Sequence, residues 1–438
     1  MTRVLAVGPL PPPIHGAASV NAAVQDALYG RVGLVTVDTS GGGYSGVAYH
    51  RHRLLRHLGA LRALIAPGPR AARVLYLTAP GGRGVWYLLP LALAARLLRY
   101  RTVVHHHSWS YLDRCDRIVA LLVGLLGPEQ RHVLLCAQMH ERFVGLYGAH
   151  NAIVCSNAAW VSDAPPARQA RAPSRRLRLG YMGTLSVEKG LETVGQLTAA
   201  LLSAKTPAEL WLAGAPAGPA DAQCMEALKE QLGERIIHLG SVSGVAKGSF
   251  LSGLDAFVFP TRYRHEAEPL VVLEALAAGV PVIAYGRGCI PDLIGDTGLL
   301  VAPEDDFVTR ALPFLARLAS DPAFRTMEGE RAVARFLALQ PGAANGRRAL
   351  LQALLDDDSL TATTSMYRRR LKVTPLRRST FDPPWALAEA SGALAGAGPR
   401  GDDGVCGNRG AQGDLPPARG RGLRGAVGAS RCALHQGL

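Results

Sequence analysis

Two series of short β-rich runs, each run followed by a longer helical stretch, dominate the chain and leave few folds open to it. The first series is RVLAVG (3–8), VGLVTVD (32–38), RVLYLT (73–78), TVVHHH (102–107), HVLLCA (132–137) and AIVC (152–155). The second is LRLGYMG (177–183), ELWLAG (209–214), RIIHLG (235–240), DAFVFP (255–260) and PVIAY (281–285). Strands apolar on both faces belong to parallel sheets covered on both sides, and right-handed crossovers then give doubly wound domains. The expected fold is α/β: two Rossmann-like domains facing each other across a cleft, with ligands bound beyond the carboxyl ends of the strands.

The rhythm breaks at SNAAWVSDAPPARQARAPSRRL, whose prolines and arginines mark a linker. We read residues 1–157 as the first domain, 158–177 as the linker, 178–358 as the second domain and 359–438 as a low-complexity tail. Half of the +14 net charge falls in residues 361–438. That stretch is rich in Gly, Ala, Arg and Pro, without periodicity, and cannot bury enough apolar surface to offset its ordering entropy, so it is expected to be disordered. Its abrupt onset also fits a change of reading frame. Without interleaved aromatics it is not expected to bind nucleic acid.

The seven cysteines are widely spaced and form no CxxC pair, which argues against a disulfide framework and points to a reducing, cytoplasmic setting. The opening VLAVG is far shorter than a signal-peptide core. The longest apolar run, GVWYLLPLALAARLL (84–98), contains Pro90 and Arg96 and reads as a buried helix rather than a membrane span. Basic residues between 49 and 75 offer either peripheral contact with an anionic membrane or an ordinary solvated helix face.

Three loops carry the chemistry. In GPLPPPIHGAAS, Gly16 opens a helix after the first strand, where backbone amides suit a diphosphate. In GTLSVEKGLETV, Gly183 ends the corresponding strand of the second half, and Lys189 stands at a helix start where the macrodipole gives a cation no benefit, so an anion is its expected partner. In RYRHEAEPLVVLEALAAGVPVIAY, Glu266 and Glu268 precede a helix begun by Pro269, and Glu274 lies inside that helix. Eight residues of helix span about 12 Å, too far for a hydrolytic carboxylate pair. The two glutamates instead suit neutral hydroxyls at the ends of an anionic ligand, or else an ion pair with Arg262, Arg264 or Arg287.

GTLSVEKG followed by HEAEPLVVLEALAAGVPVIA, with glutamates at 266 and 274, resembles the signature of retaining glycosyltransferases of family 4, enzymes of two-domain GT-B architecture. The resemblance implies a nucleotide-sugar donor, UDP- or GDP-linked, whose ribose is held by Glu274 and whose sugar hydroxyls meet Glu266. It implies that Lys189 neutralises the diphosphate and that Gly16, Gly183, Glu268, Pro269 and Leu270 line the donor site. Asn157 matches the asparagine of the interdomain segment. Many members carry arginine where this chain has Thr184, so a diphosphate cation is missing, and Arg262 is one candidate to replace it.

In VVHHHSWSY, His105 and His107 share one strand face and His106 takes the other. Relatives place a cleft histidine here, which favours His107 over His105. A metal site or simple packing are the other readings, and the class as a whole requires neither a metal ion nor a cofactor. The resemblance thus implies transfer of a sugar, with retention, to a saccharide or lipid-linked acceptor in polysaccharide or glycolipid biosynthesis. A nucleotide-sugar epimerase and a non-catalytic nucleotide-sugar-binding protein are the alternatives.

Overall fold

The computed structural model describes residues 2–41, 46–66, 73–161 and 176–355. The linker and tail expectations therefore fall largely or wholly outside the described residues.

The first sheet contains β1 (Arg3–Gly8), β2 (Gly33–Asp38), β3 (Arg73–Ala79), β4 (Arg101–His106), β5 (Arg131–Leu134) and β6 (Ala152–Val154), in the order β2-β1-β3-β4-β5-β6. The second contains β7 (Leu177–Met182), β8 (Ala208–Ala213), β9 (Ile236–His238), β10 (Ala256–Phe259), β11 (Val282–Tyr285) and β12 (Leu299–Val301), in the order β12-β11-β10-β7-β8-β9. All pairings are parallel, as the strands' two-sided apolar character requires. The last strand, β12, is three residues long and the sequence pattern gave it no signal.

Strand order reverses between β1 and β3 in one sheet and between β7 and β10 in the other. Loops leaving those strands diverge and open a crevice, which positions the loops after β1, β7 and β10 to build a ligand site. The Gly16–Leu28 helix after β1 begins with His15 as N-cap, its Nδ1 accepting from the Ala18 amide at 3.3 Å.

One long helix binds the halves together. The Pro322–Leu355 helix starts on the second core and ends beneath the first sheet, where Leu350, Ala353 and Leu354 join Val4, Val20 and Tyr76 in one apolar cluster. Thr2 Oγ1 donates to the Leu355 carbonyl at 3.0 Å. The helix crosses close to β6 because Gly346 has no side chain there; a Cβ would collide with the Val154 carbonyl.

Two expectations are corrected. Cys136, at the start of the Ala137–Tyr147 helix, and Cys289, after β11, are paired in a disulfide with Cα atoms 6.1 Å apart. They lie 153 residues apart in the chain, so only the packing of the two domains brings them together. The 84–98 segment is not one buried helix: a 3-10 turn over Gly82–Leu88 gives way at Pro90 to the Leu89–Leu97 helix. That helix buries Leu91, Ala92 and Ala95 but exposes Leu93 and Leu97. Among the described residues, no helix is long and apolar enough to cross a membrane.

Candidate active site

A cavity of about 1450 Å³ lies between the two halves, lined from both. It receives Gly16, His107, Asn157, Gly183, Thr184, Lys189, Glu266, Glu268, Pro269, Leu270 and Glu274, most of the residues singled out from sequence. His105 and Arg262 do not line it.

The lysine turn is held by backbone geometry. Ser186 caps the 3-10 turn Val187–Lys189, and Gly190 follows with φ +96°. A Cβ on Gly190 would sit 2.5 Å from Pro260 Cγ and 2.7 Å from its carbonyl oxygen, so glycine is required both for the left-handed conformation and for contact with the loop after β10. The Arg262 amide donates to the Glu188 carbonyl at 2.9 Å, tying the same two loops. Lys189 Nζ, thus placed, lies 3.1 Å from Glu266 Oε2 and 5.0 Å from the Tyr263 ring centroid.

Glu274 meets Lys247 Nζ at 2.6 Å. The arginines expected as its alternative partners are elsewhere: Arg287 forks onto Asp113 at 2.9 and 2.7 Å, and Arg262 donates to the Tyr285 hydroxyl at 2.6 Å. Lys247 had no motif to announce it; its one signal was lysine's scarcity, five in the chain beside 43 arginines.

Glu268 is buried and, among the described residues, has no ion-pair partner. Its carboxylate accepts from the Ser156 hydroxyl at 2.8 Å and the Asn157 amide at 2.5 Å, while Asn157 Nδ2 donates to the Glu268 carbonyl at 2.8 Å. Burial pushes its carboxyl up to about 8 against these hydrogen bonds, which favour the anion. With both oxygens engaged, Glu268 ties the loop before the Leu270–Ala277 helix to the segment that ends the first domain. Pro269 is the N-cap rather than the first helical residue, and no side chain caps the helix, so its first amides face the cavity beside Leu270.

From the first domain, His107 stands just past the end of β4, its ring 4.1 Å from that of His105. Its Nε2 is buried without a partner, and its titration is lowered to about 3, by burial first and then by His15. His107 is therefore a neutral imidazole at neutral pH. Beneath it His105 Nδ1 pairs with the Tyr76 hydroxyl at 2.8 Å, and Tyr76 and Thr78 both donate to Asn21 Oδ1, at 3.3 and 2.8 Å. This buried chain fixes the strand end from below. Among the described residues, no three His, Cys, Asp or Glu side chains are grouped as metal ligands.

His265, one residue before Glu266, crosses to the first domain. Its Nδ1 is 3.1 Å from Ser108 Oγ, and its carbonyl accepts from the Trp109 amide at 3.3 Å. Arg53 and His57 also reach the cavity wall from the Gly46–Ile65 helix, and sequence reading had singled out neither.

The arrangement offers cations and free helix amides for an anion, flanked by two carboxylates for hydroxyls. Residues 176–316 match the family model for glycosyl transferases group 1. The chain is 32% identical over 136 residues to the lipopolysaccharide core biosynthesis mannosyltransferase LpsB of Rhizobium meliloti, a match covering 29% of this chain and 37% of that protein. It is 30% identical over 263 residues to the 2-deoxystreptamine glucosyltransferase of Streptomyces kanamyceticus, covering 55% and 66%. The chain thus spans about a third of the first of these relatives and two-thirds of the second. In fold it is similar to sucrose-phosphate synthase of Thermosynechococcus elongatus (TM-score 0.60, 18% identity, 81% of this chain and 100% of that one). It is also similar to HepE of Anabaena, solved with UDP and glucose (TM-score 0.58, 16% identity, 81% and 100%). The fold is GT-B, and the second half carries the group 1 glycosyl transferase sequence pattern.

Proposed function

We propose that this protein is a glycosyltransferase that moves a sugar from a nucleotide-sugar donor, UDP- or GDP-linked, to an acceptor hydroxyl with retention at the anomeric carbon. The observation that carries this reading is the pairing of Lys189 with Glu266 and Lys247 with Glu274 on one cavity wall. Each pair holds a cation for phosphate next to a carboxylate for hydroxyls. An arriving diphosphate draws Lys189 from Glu266 and frees that carboxylate for the donor sugar, while Glu274 takes the ribose diol.

As the glycosidic bond breaks, negative charge grows on the leaving diphosphate and is met by Lys189 and by the open amides at the start of the Leu270–Ala277 helix. Lys247, rather than Arg262, supplies the second cation that Thr184 does not. The acceptor hydroxyl approaches from the first domain, where the neutral His107 offers its unpartnered Nε2 to a substrate hydroxyl. Closure of the domains excludes water and suppresses hydrolysis. No step requires a metal ion.

Acceptors are saccharides or lipid-linked saccharides of polysaccharide or glycolipid biosynthesis. Peripheral contact with an anionic membrane is supported by the Gly46–Ile65 helix, which exposes Leu54, Leu55, Leu58 and Ile65 beside Arg51, Arg56 and Arg62. The reading is tested by incubating the protein with labelled donors, with and without saccharide acceptors. Acceptor-dependent sugar transfer supports it; isomerised sugar without an acceptor, or binding without turnover, contradicts it.

A further inference from the structure

A second cavity, of about 390 Å³, lies between the halves and shares no lining residue with the larger one. The segment after β10 divides them. Arg262 and Arg264 line the small cavity while Tyr263 and His265 line the large one, the chain reversing in a turn closed by the Glu266 amide donating to the Tyr263 carbonyl at 3.0 Å. Lining only the small cavity, neither arginine replaces the diphosphate cation.

Four arginines line the small cavity, Arg142 from the first domain and Arg262, Arg264 and Arg287 from the second. Arg142 donates to the Leu112 carbonyl at 3.4 Å, Arg262 to the Tyr285 hydroxyl at 2.6 Å and Arg287 to the Arg264 carbonyl at 2.5 Å, all neutral acceptors. Asp113, the carboxylate lining it, is engaged by Arg287. Among the described residues, Arg142, Arg262 and Arg264 have no carboxylate within salt-bridge distance. Arg287 keeps a buried Nε with no partner. Two aromatic faces hold the arginines in place, Arg142 lying 5.6 Å from the Trp109 ring and Arg262 4.5 Å from that of Tyr285.

Exposed like charges gathered on one concave surface raise the local positive potential and attract an anion that can bridge them. Planar guanidinium forks match carboxylate and phosphate oxygens in pairs, and the volume exceeds what one inorganic ion fills. We propose that this cavity is a binding site for an anionic sugar, one bearing a phosphate or a carboxylate, separate from the nucleotide cleft. That the ligand is an anion rests on the arginines alone; that it is a sugar rests on the transferase reading.

Isothermal titration of the full chain with glucose 6-phosphate, glucuronic acid, inorganic phosphate and neutral glucose tests it. Saturable binding of either charged sugar, about tenfold or more tighter than glucose, is expected from charge-assisted hydrogen bonds. The phosphate and carboxylate arms tell which group the arginines prefer. Arg142 and Arg264 are both exposed, so an Arg142→Ala/Arg264→Ala double variant is expected to keep its melting temperature, lose that binding about tenfold and retain its affinity for UDP. The proposal is overturned if neither charged sugar outcompetes glucose, if inorganic phosphate binds as tightly as the sugar phosphate, if the double variant binds unchanged, or if UDP displaces the sugar.

Discussion

Lys189 and Glu266 lie 3.1 Å apart on one wall of the interdomain cavity, the ammonium also resting over the Tyr263 ring. Both come from loops at the strand-order reversal of the second sheet, and the glycine after the lysine makes their approach possible. A cation–carboxylate pair exposed to a ligand-sized space can exchange one partner for substrate at small cost, because partly exposed pairs contribute little to stability.

Lys189→Ala should therefore lower transfer at least about a hundredfold, the scale for losing one charge that stabilises a transition state, while changing the melting temperature little. Steady-state kinetics beside thermal melts check this; full activity in a folded variant would contradict it.

Glu274 should read the ribose. Wild-type protein is expected to bind UDP about tenfold or more tighter than its 2′,3′-dideoxy analogue, as for loss of hydrogen bonds to a charged group. Glu274→Ala should bind the two alike. Lys247→Ala should weaken nucleotide diphosphates more than the nucleosides, which competition binding will show.

Stability should fall on both sides of a maximum near about pH 6.5. Glu268 titrates near 8 when folded against 4.5 unfolded, so the folded state binds the extra proton between these values and stability is lost as pH rises through them. His107 and His132 are held near 3 and 4 by burial, and His105 and His106 well below their ordinary value, so stability is lost as pH falls below 6.5. Each group contributes on the order of 1 kcal/mol per pH unit inside its window. Urea unfolding of wild type and Glu268→Gln should show the alkaline slope shallower in the variant.

Cys136 and Cys289 should resist alkylation after unfolding without reductant and react after reduction, as mass mapping will show. Replacing either should cost up to about 5 kcal/mol, the chain-entropy scale for a disulfide closing a loop of 153 residues. Alkylation of all seven cysteines without reductant would contradict the pairing.

The strands were legible because short two-sided apolar runs alternate regularly with longer helical stretches, the rhythm of a covered parallel sheet, and the motif loops because glycines and isolated charges stand out from them. Lys247 was not legible: its role depends on reaching Glu274 from a different helix, a distance that no local pattern encodes. Glu268 lines the cavity, but its hydrogen bonds to Ser156 and Asn157, more than 100 residues earlier, were not legible in the sequence. Arg262 looked like a spare diphosphate cation, yet it lines the second cavity and its guanidinium is engaged by the Tyr285 hydroxyl, a contact no local pattern encodes. The Cys136–Cys289 pair arises from the docking of two domains, which cysteine spacing cannot foretell.

The most direct measurement is equilibrium binding of UDP, GDP and ADP to the full chain and to Lys189→Ala. The account predicts saturable binding of at least one diphosphate, weakened about tenfold or more in the variant by loss of a charge-assisted contact. Absence of binding by all three, or equal affinity in both proteins, would contradict it.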